Sequence, residues 1–224
     1  MAEAVLFDFG GTLDADGHPW CERLYAGYRA VGGQVGFPGF EQRFQLAARI
    51  LARQPGLTGF GFRKLVEAQV EALMEVLPDR NALDTGAWSR GFIANARTAA
   101  ARNRLVLDEL SRRFELGVVS NFSGNLRPCL AELGLEDCFE VVFDSAVVGI
   151  RKPDLRLFRA AFDALGRHAE ECWMVGDNPV SDIEPAGRLG CATCWLAPAE
   201  RPLPHGVVPT QRIAALDELP ARLG

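Results

Sequence analysis

The stretch VLFDFGGTLDADG, residues 5–17, decides how the rest of the chain is read. Three apolar side chains, Val5, Leu6 and Phe7, run straight into a carboxylate, Asp8, and two residues later the chain carries the glycine pair Gly10-Gly11. A short apolar run closed by such breakers reads as a strand buried on both faces. An acid directly behind it is costly unless something pairs it. The stretch therefore predicts a buried strand whose carboxyl end presents Asp8 to a partner.

Similar apolar runs recur in ELGVVSNFSG, CWMVGDN and CATCWLA, with a weaker one in FEVVFDS. Helical patterns separate them over residues 125–133, 153–165 and 179–189, and Gly134, Gly166 and Gly190 stand where helix C-termini favour a left-handed residue. The tail RIAALDELPARLG reads as a closing strand and helix. Such alternation predicts an α/β fold, a doubly wound and mostly parallel sheet. Between the first strand and the second lies an exception. Helical periodicity fills WCERLYAGYRAV, FEQRFQLAARILA, FRKLVEAQVEALMEVL and GAWSRGFIANARTAAA, with no strand signal among them. A crossover needs one helix, so the surplus is expected to be an inserted helical domain. The expected division is a core of residues 1–14 and 103–224 with a helical cap at 15–102. The loop GGQVGFPGF is read as a connector.

Bulk properties narrow the function classes. The formal net charge is −5 and no basic run occurs, so nucleic acid is not expected as a partner. No segment reaches the roughly 18 apolar residues that a membrane helix needs. No signal peptide is visible at the N-terminus, and a cytoplasmic protein is the expectation. The cysteines fit free or buried thiols better than a disulfide framework. Cys191 and Cys194 are spaced C-x-x-C, but residues three apart on a strand point to opposite faces, so they are not expected to share an ion.

In an open α/β sheet, ligands bind beyond the carboxyl ends of the strands. The residues expected there are Asp8, Ser120 with Asn121, and Gly176 with Asp177; Lys152 follows in GIRKPD just ahead of a helix. Two acids, a hydroxyl and an ammonium at one edge suggest a divalent cation and an anionic substrate. Hard oxygen ligands suit Mg²⁺.

These residues fall into four motifs in order: D-x-x-G-T-L at 8–13, a strand ending in Ser120-Asn121, Lys152 in K-P-D, and G-D-x-x-x-x-D at 176–182. In this the chain resembles the haloacid dehalogenase superfamily of hydrolases, mostly phosphatases, and the helical insertion resembles that family's cap. The resemblance implies a Mg²⁺-dependent hydrolase acting on a small phosphorylated metabolite. Asp8 would be the nucleophile, forming an aspartyl-phosphate that water hydrolyses. Ser120 and the Asn121 amide would hold phosphate oxygens, and Lys152 would neutralise gathering charge. Asp8, the Gly10 carbonyl and Asp177 would ligate the metal, with Asp182 supporting from behind.

Position 10 departs from the family. Its usual motif is D-x-D-G-T, whose second Asp protonates the leaving oxygen and then activates water; Gly10 keeps the carbonyl and loses the acid/base. Such a group typically contributes ~10²–10⁴-fold to rate. Three explanations are open: a leaving group that needs no proton, a substitute among Asp14, Asp16 and His18, or phosphate-ligand binding with weak turnover. His18 is the best substitute, since imidazole carries protons near neutral pH. A 2-haloacid dehalogenase-like hydrolase also manages without the second Asp, because halide leaves unprotonated. It fits less well, since such enzymes usually hold Tyr at this position and need no Mg²⁺. A phosphonate-cleaving reading would need a cap lysine, for which only Lys64 is available.

Overall fold

The computed structural model describes residues 2–79 and 83–223. Met1, residues 80–82 and Gly224, which the expected core and cap ranges include, lie outside the described residues. Six strands form one sheet: β1 (Ala4–Phe7), β2 (Glu115–Ser120), β3 (Val141–Asp144), β4 (Cys172–Gly176), β5 (Ala192–Leu196) and β6 (Gln211–Ile213). Their order is β3-β2-β1-β4-β5-β6, and every pairing is parallel. The chain winds outward from β1 through β2 to β3 and then crosses back to β4. This leaves a switch point between β1 and β4, where a doubly wound sheet opens a crevice at its carboxyl edge.

Alternation along β1 explains why its run is apolar throughout. Val5 and Phe7 enter one buried cluster and Ala4 and Leu6 the other, so both faces are covered. Four helices lie between β1 and β2: α1 (Trp20–Ala30), α2 (Phe37–Leu51), α3 (Phe62–Val76) and α4 (Thr85–Leu110). Beyond β2 come α5 (Leu126–Glu132), α6 (Ser145–Val148), α7 (Leu155–Leu165) and α8 (Glu184–Arg188). Helix α7 packs Leu157, Phe158, Ala161 and Phe162 onto the Ala4–Leu6 side of the sheet. It starts where the Asp154 carboxylate accepts from the Arg156 amide and ends at Gly166, whose φ is 67°.

Three boundaries differ most from the sequence reading. Helix α8 begins at Glu184, five residues after the expected 179, because Pro179–Ile183 wind as a separate, wider turn. Helix α2 begins at Phe37, three residues before the expected 40, because Pro38 sits in its first turn, where the missing N–H costs nothing. Helix α4 continues past the expected 101 to Leu110. Asn103, Val106, Leu107 and Leu110 are buried along one face at i, i+3, i+4 and i+7, the pattern that carries the helix onward. The expected boundary at 102/103 therefore falls inside one continuous helix. Cys191 and Cys194 belong to opposite buried clusters, so the pair cannot clasp one ion. Burial pushes the Cys172 and Cys194 thiols up to about 12. No helix among the described residues is long and apolar enough to cross a membrane.

Candidate active site

The ladder delivers Asp8. Its amide donates to the Val175 carbonyl at 2.9 Å, extending the β1–β4 pairing one residue past the strand and holding the Asp8 backbone at the crevice. The side chain is nearly buried, and its two oxygens differ. Oδ1 accepts from Lys152 Nζ at 2.6 Å and from Ser120 Oγ at 2.9 Å. Oδ2 accepts no hydrogen bond among the described residues, although Asp8 lines a cavity. A carboxylate pinned through one oxygen with the other free is an oriented nucleophile.

Lys152 is held from three sides. Besides Asp8 it pairs with Asp182 Oδ1 at 2.6 Å and donates to the Val119 carbonyl at 2.9 Å. Burial works against its charge, but Asp182 and Asp8 outweigh burial and hold its pKa above the ordinary lysine value. The lysine is placed by its own backbone. Its amide donates to Asn121 Oδ1 at 2.8 Å, and Asn121 Nδ2 donates to its carbonyl at 3.0 Å. The Asn121 side chain thus staples the β2 loop to the Lys152 loop.

Asp177 follows β4, and its carbonyl accepts from the Trp195 indole at 2.9 Å. Its carboxylate accepts no hydrogen bond among the described residues and lies against Gly11. A Cβ on Gly11 would stand 2.5 Å from Asp177 Oδ2, and Gly11 has φ 95°, so close approach and backbone conformation both require glycine there. Asp182 is better supported: the Asn178 amide donates to its Oδ2 at 3.1 Å and Ser181 Oγ to its Oδ1 at 3.1 Å. Ligand atoms of Asp8, Asp177 and Asp182 lie within 4.8 Å of one another. Three buried carboxylates thus cluster beside one ammonium, which pairs with Asp8 and Asp182. Burial, then Asp8 and Asp182, push the Asp177 pKa well above the usual carboxylate range. Burial likewise raises Asp182 to about 6, against the pull of Lys152. An excess of buried negative charge with hard oxygen donors, one of them unpartnered, fits a divalent cation such as Mg²⁺.

The structure thus gathers Asp8, Ser120, Asn121, Lys152, Asp177 and Asp182, with Gly10, at one edge. It does not bring His18 or Asp16 to them, and it commits Asp14 to other partners. His18 is exposed and does not line the cavity. Asp16 pairs with Arg102 at 2.6 Å. Asp14 is fully buried, where its Oδ1 accepts from the Gly11 amide at 2.7 Å and its Oδ2 from Trp20 Nε1 at 2.8 Å and Arg23 at 2.7 Å. Lys64 stacks on the Phe60 ring, 4.0 Å from its centroid, and does not line the cavity either.

Several features escaped the sequence. The first is Trp20, whose indole fills the space beside position 10. A Cβ on Gly10 would meet Trp20 Nε1 at 3.2 Å and Cδ1 at 3.3 Å. The second is Asp144 at the end of β3, whose Oδ2 accepts from the Gly124 and Leu126 amides at 2.8 and 3.1 Å. It shapes the loop that follows Ser120. FEVVFDS does place an acid at a strand end, as in VLFD, and that shared signature was the available signal.

The cavity beyond Asp8 is about 590 Å³. Its walls come from the strand-end loops, the start of α1, and α2 and α3 with the segment between them.

Comparison with known proteins agrees with this geometry. The family model for haloacid dehalogenase-like hydrolases matches residues 2–190, and the chain belongs to that family. Pyrimidine 5′-nucleotidase YjjG of Escherichia coli is 34% identical over 116 residues, 51% of this chain and 52% of that protein. Ribulose-1,5-bisphosphate 5-phosphatase of Halopiger xanaduensis is 27% identical over 215 residues, 89% of this chain and 87% of that one. Matches to the first curated relatives span only about half of those proteins' length. Among solved structures, the putative HAD-hydrolase YfnB of Bacillus subtilis, bound to magnesium, superposes with a TM-score of 0.61 at 21% identity, covering 100% of this chain and 99% of that one.

Proposed function

We propose that this chain is a phosphatase acting on a small phosphorylated metabolite through an aspartyl-phosphate on Asp8. The observation that carries the reading is the asymmetry of that carboxylate, with Oδ1 held by Lys152 and Ser120 and Oδ2 free, on a residue that lines a cavity. Oδ2 attacks phosphorus, the bond from phosphorus to the leaving oxygen breaks, and water then displaces the carboxylate from phosphorus. Lys152 balances charge on Asp8 and on the phosphoryl oxygens as they gather it. Ser120 Oγ turns from Asp8 to a phosphoryl oxygen. Asp8, Asp177 and the Gly10 carbonyl hold Mg²⁺, and Asp182 steadies Lys152. The ion, when bound, neutralises phosphate charge. In this reading residues 15–102 form a cap over a core of 1–14 and 103–224, and α4 carries the chain from one to the other. Relatives named as a nucleotidase and a sugar-bisphosphate phosphatase support a small phosphorylated substrate.

Trp20 refines the choice of leaving group. With an indole beside Gly10 and no linker acid lining the cavity, the site lacks a general acid there. Substrates whose leaving group departs unprotonated, such as acyl phosphates and activated aryl phosphates, are favoured over alkyl esters. The same observation favours a second reading, a phosphate-ligand-binding protein with weak turnover. A panel of alkyl, aryl and acyl phosphates and 2-haloacids, assayed with and without Mg²⁺, separates these. Metal-dependent phosphate release, fastest from good leaving groups, is expected. Halide release without metal would replace the proposal with a dehalogenase, and phosphate binding without turnover would replace it with the second reading.

A further inference from the structure

The wall that α3 adds to the cavity carries a polar group with nothing to bind. Gln69, on α3, is 3% exposed, and its amide makes no hydrogen bond among the described residues. Its Nε2 is a buried donor without an acceptor, and the residue lines the cavity. A buried donor left unpaired gives up its hydrogen bonds to water with nothing in return, so a donor left bare in a folded wall points to an acceptor that arrives from outside.

Its surroundings define that acceptor. The same wall is built from Phe44, Leu57 and Leu65, with Gln45 the other polar side chain that α2 and α3 contribute. Neither helix adds a charged side chain to the cavity; Lys152 and Arg151, its two cations, both come from the loop ahead of α7. A second phosphate or a carboxylate on the leaving portion would find no cation against this wall, and an ammonium would find no acid.

We infer that Gln69 reads the substrate: its Nε2 donates to a neutral oxygen, a carbonyl or hydroxyl, on an uncharged and partly apolar leaving portion seated against α2 and α3. The inference rests on the proposed phosphoryl site, which anchors the other end of the same molecule. Gln69 selects among substrates and takes no part in the chemical step.

Non-hydrolysable ligands test this without depending on turnover. Calorimetry on the full chain in magnesium buffer would compare aryl-alkyl phosphonates bearing a 4-acetyl group with twins bearing 4-isopropyl. The two groups have similar shape, and only acetyl carries an acceptor. One, two or three methylenes between ring and phosphonate cover the reach to Gln69. One good hydrogen bond to the buried donor should make at least one acetyl ligand bind about tenfold more tightly than its twin. Gln69→Leu should erase that gap and leave the isopropyl Kd within about twofold, since an apolar side chain of similar size keeps the wall closed. Gln69→Met, flexible and of similar size, serves as the second variant should Gln69→Leu fold poorly. Binding of both twins without preference at every length would overturn the role of Gln69 and leave the phosphoryl site standing, as would a preference that survives in a folded Gln69→Leu. Binding of neither would overturn the phosphoryl site and the inference with it.

Discussion

Replacing Gly10 with Asp restores the family's usual first motif, and the structure says why that alone should fail. The backbone is no obstacle, because φ −76° and ψ 112° suit any L-residue. The obstacle is Trp20, whose Nε1 and Cδ1 would lie 3.2 and 3.3 Å from the new Cβ, inside ordinary carbon contact. The ring has little freedom to retreat. Its N–H is fixed on Asp14 at 2.8 Å, and it packs edge-on to Phe62, Phe92 and Phe122 with centroids 5.8, 5.1 and 6.1 Å away. Inserting atoms against such a neighbour costs typically about 1–3 kcal/mol. For a chain of this size each kcal/mol lowers Tm by roughly 2–4 °C. Gly10→Asp should therefore melt early and gain little activity. Combined with Trp20→Ala the clash disappears, and the two changes should couple favourably by at least about 1 kcal/mol in a double-mutant cycle read by urea denaturation. The double variant should hydrolyse alkyl phosphates about 10-fold or more faster than Trp20→Ala alone, since it regains a general acid. Acyl phosphates should gain much less at the transfer step. Additive stability effects, or an equal rate gain for every leaving group, would refute the claim that the indole occupies the acid's place.

Lys152→Met leaves Asp8 and Asp182 buried without their shared cation, a defect worth about 3–5 kcal/mol by denaturant titration; a variant as stable as the parent would deny that the ammonium is their counter-charge. Asp177→Asn removes an unpartnered buried carboxylate, so Tm in chelator should rise, while the Tm increase that Mg²⁺ gives the parent should vanish. Persistence of the Mg²⁺ shift in that variant would move the metal elsewhere. His18→Ala should leave rate and pH profile unchanged on alkyl and acyl phosphates alike, because His18 is exposed outside the cavity; a loss confined to alkyl phosphates would return it to the mechanism as the acid.

Much of this arrangement is legible in the chain itself, for a physical reason. A parallel strand buried on both faces must be apolar throughout, so Asp8 and Asp177 stand out where VLF and WMVG end. Those carboxyl edges are where the fold opens its crevice, so locating the strands also locates the acids. Lys152 was legible because GIRKPD sets it just ahead of a capped helix. Trp20 was not, since its role arises from a contact between the start of α1 and a residue ten positions earlier, with no periodic signature. The roles of Asp14, Asp144 and Gln69 were hidden for a related reason. A buried acid that holds amides and a buried amide that holds nothing look alike in a sequence, and only the packing around each separates them. The reach of α4 past residue 101 was legible in principle, since Asn103, Val106, Leu107 and Leu110 keep helical spacing, but the polar Asn103 masks the stripe. It is buried because its Nδ2 donates to the Leu13 carbonyl at 3.0 Å.

Whether Asp8 is the nucleophile is the central claim, and trapping the intermediate tests it most directly. Enzyme in excess would be mixed with acetyl phosphate and Mg²⁺ in oxygen-18 water, quenched in acid within a single turnover, and digested for peptide mass spectrometry. A phosphoryl group is expected on the peptide carrying Asp8, absent from Asp8→Asn, with the heavy oxygen appearing in released phosphate and not in the Asp8 carboxylate. Phosphate released by the parent with no phosphorylated Asp8 at any quench time, or undiminished turnover by Asp8→Asn, would contradict it.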